Sequence, residues 1–341
     1  MKYIHILILT FVCFGCTHTT EISLNESMVK FSGFPSNDSL MFVTMSDEIL
    51  DEPAKILFNG NTLIIKTFCR GKDKHLVVYS LAENKIIYEL IEYGDGPEAM
   101  LSCEIGFLDD KLWLYDMSKM NIGLVSIDSL LLAHPNIDRY KLNSHYYYRT
   151  AMLNDSIMLG TNDMSSKSKI AYVNLKTGVV AGRGDYAYLN ENINLGTLID
   201  ACSCYVDINP KTKDIVLAYR YTDVIEIYNC KGELKYSLHG PECFDIKFRS
   251  NGVSMVKTKD TRKAYVNSYV TEKNLYLLYS GCKKNEANWA NGTELYVFSW
   301  EGQPQKKYIL DQPIYTFAVD EDRGVIYSYS IQKDELVKAY I

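Results

Sequence analysis

From residue 54 to the C-terminus, short apolar runs alternate with clusters of Asp, Asn, Lys and Gly. The runs are rich in β-branched and aromatic residues, and no long stretch has the 3.6-residue period of an amphipathic helix. An apolar strand, a tight polar turn and a Tyr-rich strand recur at Asn61–Lys66, Asp110–Tyr115, Asp155–Gly160, Lys213–Tyr219, Lys273–Tyr279 and Arg323–Tyr329. Anchored on Leu63, Leu112, Ile157, Ile215, Leu275 and Val325, the copies lie roughly 45 to 60 residues apart.

A repeat of that length holding four short strands is the period of a propeller blade. The pattern therefore predicts an all-β chain, a six-bladed β-propeller with four-stranded blades. The fourth blade reads as Tyr205–Ile208, Asp214–Tyr219, Val224–Tyr228 and Glu233–Leu238. The second reads as Cys103–Phe107, Lys111–Tyr115 and Asn121–Ile127, with its outer strand blurred before Tyr140. Only three strands remain for the last blade: Ile314–Val319, Val325–Ile331 and Leu336–Ile341. Upstream of the first blade, Ser39–Met45 is a strand without a blade. It is predicted to complete the last one, closing the ring and removing an exposed edge.

The N-terminus reads as a leader. Lys2 precedes the apolar run Tyr3–Val12, and Gly15 stands immediately before Cys16. Gly15-Cys16 resembles a bacterial lipobox, which implies cleavage before Cys16 and acylation of its thiol. Residues 1–15 are then a signal peptide, 16–30 a lipidated cysteine with a polar tether, and 31–341 the propeller. Each buried acyl methylene contributes about 0.8 kcal/mol to membrane attachment. No later segment has the apolar length of a membrane span.

The 341 residues carry 36 basic and 42 acidic side chains, a net charge of −6, so no general attraction to nucleic acid is expected. Cys69, Cys103, Cys202, Cys204, Cys230, Cys243 and Cys282 read mainly as buried thiols. On a strand, Cys202 and Cys204 would face the same side, the wrong geometry for a mutual disulfide. No metal or cofactor motif is present, and no HExxH, GxSxG, Walker or Rossmann signature.

Tyr93-Gly94-Asp95-Gly96-Pro97-Glu98, after the first blade, resembles the glycine-proline-glutamate signature of TolB-like six-bladed propeller lipoproteins of Bacteroidetes. Here Glu follows Pro directly. The resemblance covers about residues 31–341 and the leader. It implies the propeller fold and an envelope location, and transfers no catalytic residues.

Echoes of the motif follow other outer strands at Gly182-Arg183-Gly184-Asp185 and His239-Gly240-Pro241-Glu242. Either these are tight connectors, or Asp95, Glu98, Arg183 and Glu242 form a shared binding face. In a four-stranded propeller, connectors and the loops between second and third strands emerge at the same end. The longest insertions gather there: Gly281–Gly292, bearing Trp289, and Cys243–Lys263, bearing Lys247, Arg249, Lys257, Lys259, Arg262 and Lys263. Trp289 is a candidate stacking anchor, with a packed loop as the alternative. Tyr146–Arg149 opens the third blade. Alternation pairs Tyr147 with Arg149, to line the channel and hold a carboxylate or phosphate, or else to pack between blades.

The functional expectation is a lipid-anchored, non-catalytic module that binds or scaffolds an envelope protein, peptide or glycan. Thr17 after Cys16 resembles outer-membrane sorting, and the absence of an acidic run there favours the periplasmic leaflet. The alternative is a carbohydrate hydrolase or lyase using Arg149, His145 and channel carboxylates.

Overall fold

The computed structural model describes residues 19–24, 28–46, 48, 50–70, 73–132, 135–142, 146–163, 165–186 and 193–341. The leader, Cys16 and His145 lie outside them. Six antiparallel sheets follow in chain order. Their inner strands are Pro53–Asn59, Glu104–Leu108, Arg149–Asn154, Cys204–Ile208, Tyr265–Val270 and Phe317–Asp320. Each inner strand touches the next, and Phe317–Asp320 returns to Pro53–Asn59, so the ring is closed. The chain is thus a six-bladed β-propeller.

Its core is six seams between neighbouring blades. In blade 2, Leu112 and Leu114 face blade 1, while Trp113 and Tyr115 face blade 3. In blade 4, Ile215, Leu217 and Tyr219 face one seam, Val216 and Ala218 the other. Period-two alternation thus serves two buried faces. This is why the central strands read as unbroken apolar runs.

The N-terminal segment follows the outer rim of three blades. Val29–Lys30 lies parallel to the outer strand Leu234–His239 of blade 4. Asn37–Leu40 lies parallel to Pro304–Ile314 of blade 5. Val43–Ser46 then pairs antiparallel with Glu335–Tyr340 and becomes the fourth strand of blade 6. The expected closing strand Ser39–Met45 is therefore two short strands on adjacent blades. The break falls at Phe42, whose side chain enters the seam between blades 5 and 6 and whose N–H donates to the Asp311 carboxylate at 3.2 Å. Phe31 and Phe34 clamp the rim against Phe298, with ring centroids 5.6 and 5.4 Å away. The Phe31 carbonyl lies so close to Gly240 that a Cβ there would stand 2.2 Å from it.

Two described parts of the expected tether pair with the propeller. Besides Val29–Lys30, Thr20–Ile22 pairs with Ile246–Ser250 in a small sheet built on the insertion before blade 5. Unpaired outer edges recruit these segments through backbone pairing, and Ile22, Leu24 and Met28 add apolar side chains to the cluster between blades 3 and 4. Cys202 also departs from expectation: it ends the helix Leu195–Ala201, and only Cys204 lies on a strand. The seven described cysteines are free thiols. Burial pushes the Cys103 and Cys204 thiols up to about 12, which makes them poor nucleophiles. Among the described residues no helix is long and apolar enough to cross a membrane.

Candidate binding site

Inner strands begin, and connectors emerge, at one end of the ring. Arg149 opens the inner strand of blade 3 there. Its guanidinium lies 3.5 Å from the Glu104 carboxylate, and 4.5 and 5.2 Å from the ring centroids of Tyr148 and Tyr205. Arg220 Nη1 donates to the Tyr148 hydroxyl at 3.0 Å. Burial works to raise the Tyr148 phenol, but Arg220 and Arg149 outweigh it and hold it below its ordinary value.

Arg220 follows the second strand of blade 4, Ile215–Tyr219, and is fixed by its backbone. Its N–H donates to the Ser203 carbonyl at 2.9 Å, and its carbonyl accepts from Ala264 at 2.8 Å. Ala264 in turn accepts from Ser280 at 2.9 Å. Ser203 lies just beyond the helix Leu195–Ala201, whose Asn194 side chain caps it by accepting from Thr197 N–H at 2.7 Å. One ladder across blades 4 and 5 thus sets Ser203, Arg220 and Lys263 beside one another.

Tyr221 and Trp289 stack here, with centroids 6.2 Å apart and planes 23° from parallel. The Lys263 ammonium is 5.3 and 5.2 Å from those two rings, and Lys257 is 5.5 Å from Tyr221. Lys263 is 7% exposed, and no carboxylate pairs with it among the described residues. Burial, then the Arg220, Lys257 and Arg149 charges, push its pKa down to about 6.

A cavity of about 330 Å³ opens beside this cluster. Tyr146, Tyr148 and Tyr221 wall it, and Arg220 and Lys257 reach it. Ser203 lines it, only 3% exposed, with a hydroxyl that has no hydrogen-bond partner. Arg220 Nε is likewise buried and unpartnered. Asp200 contributes one carboxylate, which accepts from Met255 N–H at 3.1 Å. A second cavity, of about 260 Å³, occupies the opposite end of the axis, with Lys55 and Asp207 in its wall. Burial raises the Asp207 carboxyl against the pull of Lys55 and a Ser268 hydrogen bond.

Two of the expected binding residues, Arg149 and Trp289, flank this ground at the connector end. Tyr147 does not join them. It is 1% exposed, fills the seam between blades 2 and 3, and donates its N–H to Tyr115 at 2.9 Å. The strand starts only at Arg149, so Tyr146–Tyr148 do not alternate as strand residues, and Arg149 meets Tyr148 instead. Asp95 and Glu98 are exposed on the connector after blade 1, with Glu98 3.5 Å from Arg139. Glu242 instead pairs with Arg262 and accepts from the Tyr279 hydroxyl. Arg183 lies on the outer strand of blade 3, 5.9 Å from the Tyr172 ring. These four do not converge on one another.

Within the basic insertion, Lys247 pairs with Glu21 and Arg262 with Glu242, which leaves Lys257 and Lys263 at the aromatic cluster. Sequence reasoning missed Arg220, Tyr221 and Ser203. The available signal was Tyr219-Arg220-Tyr221, a cation set among tyrosines at a strand end, as in Tyr146–Arg149.

The closed ring of four-stranded sheets defines a propeller scaffold with a basic, aromatic recess at its connector end. The chain belongs to the TolB-like six-blade propeller family, whose profile matches residues 30–322. Similar solved structures include a DUF4221 family member from Bacteroides vulgatus ATCC 8482, 10% identical, covering 95% of this chain and 98% of that one, TM-score 0.62. A protein described as exported from Bacteroides fragilis NCTC 9343 is 9% identical, with 92% and 99% coverage and TM-score 0.53. The β-propeller domain of Cps50 (Swd1) from Myceliophteria thermophila is 9% identical, with 88% and 100% coverage and TM-score 0.51. At these identities the likeness is one of fold. No curated protein matches the chain.

Proposed function

We propose that the chain is a non-catalytic binding module, held in the cell envelope by a lipid on Cys16, that takes an envelope protein, peptide or glycan at its connector end. The anchor reading rests on Gly15-Cys16 after the apolar leader. The binding reading rests on one observation: Arg220 and Lys257 line an aromatic-walled cavity and form no ion pair among the described residues. Uncompensated cations beside unpartnered polar atoms raise the energy of the empty site, and an anionic ligand relieves that cost.

A hydrolase or lyase is the second reading, favoured by Asp207, a carboxyl in the wall of the second cavity whose pKa burial raises. Passing a detergent extract of envelopes over the immobilised intact chain separates the two. Saturable retention of a component recovered unaltered supports the module. Consumption of that component, lost on Asp207→Asn, supports the enzyme.

A further inference from the structure

We propose that the cavity beside Arg220 and Ser203 binds the carboxylate-bearing ring of an acidic saccharide, a uronate unit. This rests on the binding-module reading above and names its ligand class.

Three features select that class. First, the cavity is built for negative charge: Arg220 and Lys257 line it, neither forms an ion pair among the described residues, and the Arg220 Nε is buried without a partner. A guanidinium with free donors in a partly dry site matches a planar carboxylate. Second, the other wall groups suit hydroxyls. Ser203 is 3% exposed with a hydroxyl that has no partner, and Asp200 presents a carboxylate that accepts from ligand hydroxyls and repels a multiply charged anion such as phosphate. Third, tyrosine rings form the walls, and about 330 Å³ is the low end of ligand-pocket size, suited to one ring rather than a run of peptide side chains. The ordering cost is already met, because the backbone ladder through Ser203, Arg220 and Ala264 fixes the polar groups before any ligand arrives.

The test is calorimetric titration of the intact chain in detergent with trigalacturonate, neutral trigalactose, a sulfated galactose trimer, inorganic phosphate and a hexaglutamate peptide. Trigalacturonate should bind saturably, and trigalactose at least about tenfold more weakly, the worth of one charge-assisted hydrogen bond. Arg220→Met should weaken trigalacturonate by about tenfold or more, Ser203→Ala by a few-fold, and Lys257→Glu should also weaken it. Ser203→Ala removes one buried oxygen without adding volume, so it keeps the test valid should Arg220→Met fail to fold. Equal affinity for trigalactose, tighter binding of phosphate, sulfated sugar or hexaglutamate, or no binding of trigalacturonate overturns the assignment. Retention of an envelope component by a chain that ignores uronate refutes the ligand class alone. Cleavage of the recovered trigalacturonate refutes the module reading, and this assignment with it.

Discussion

The Thr44 hydroxyl donates to the Glu335 carboxylate at 2.6 Å across a sequence separation of 291 residues. This contact marks where Val43–Ser46 meets the last blade. The pair is exposed and contributes little by itself. The strand that carries it gives blade 6 its fourth member and covers the edge of Glu335–Tyr340 at Leu336–Lys338. Deleting residues 36–46 should abolish the cooperative thermal transition seen by near-ultraviolet circular dichroism. A deletion variant that melts like the parent would remove the closure from the account.

A buried ion pair joins blades 3 and 4. Lys169 Nζ lies 2.7 and 3.0 Å from the Glu226 oxygens, and the side chains are 8% and 1% exposed. Glu226 also accepts from Tyr219 and Tyr228 at 2.8 and 2.7 Å. Lys169→Met should cost about 3–5 kcal/mol, because it strands a buried carboxylate. Adding Glu226→Gln should recover part of that loss. Chemical denaturation of the two variants checks the sign: a double variant less stable than the single one contradicts the argument.

His239 and Asp223 hold the connector after blade 4. Their side chains are 3.1 Å apart, and Asp223 also accepts from the N–H groups of Glu242, Cys243 and Phe244. Burial opposes the imidazolium, but the Asp223 hydrogen bond and charge outweigh it and raise the His239 pKa. The folded chain therefore holds this proton to higher pH than the unfolded chain. The added stability should be full below about pH 6.5 and vanish as pH rises through the folded-state value. In denaturation at pH 5.5 and 8.5, His239→Gln should lose more stability, relative to the parent, at the lower pH.

Lys263 has the opposite slope. Its pKa, pushed down to about 6 by burial and by Arg220, Lys257 and Arg149, lies far below that of an unfolded lysine near about 10.4. Between those values the unfolded chain binds the extra proton, so this site makes stability rise with pH. Lys263→Met should flatten that rise and stabilise the chain at pH 7 by of order 1–3 kcal/mol. A pH titration of the denaturation midpoint in parent and variant reads both effects.

How much of this was legible in the sequence depends on what kind of contact carries the information. Ile215–Tyr219 and Val224–Tyr228 could be located to within a residue because seams on both faces demand continuous apolar side chains. Thr20–Ile22 and Val29–Lys30 escaped because runs of two or three residues are too short to show a strand period. At the candidate site, Arg149 and Trp289 stood out as a cation and a large ring in exposed contexts. Arg220 and Ser203 did not, because their meeting depends on a backbone ladder between blades that no local spacing encodes.

Hydrogen-exchange mass spectrometry of the intact chain, with and without a saturating glycan fraction from envelopes, tests the binding face most directly. Protection should appear in segments 146–149, 219–221 and 257–264, and the turns at 109–111, 155–156 and 211–213 should be unchanged. Protection confined to those turns, at the opposite end of the ring, would contradict the account.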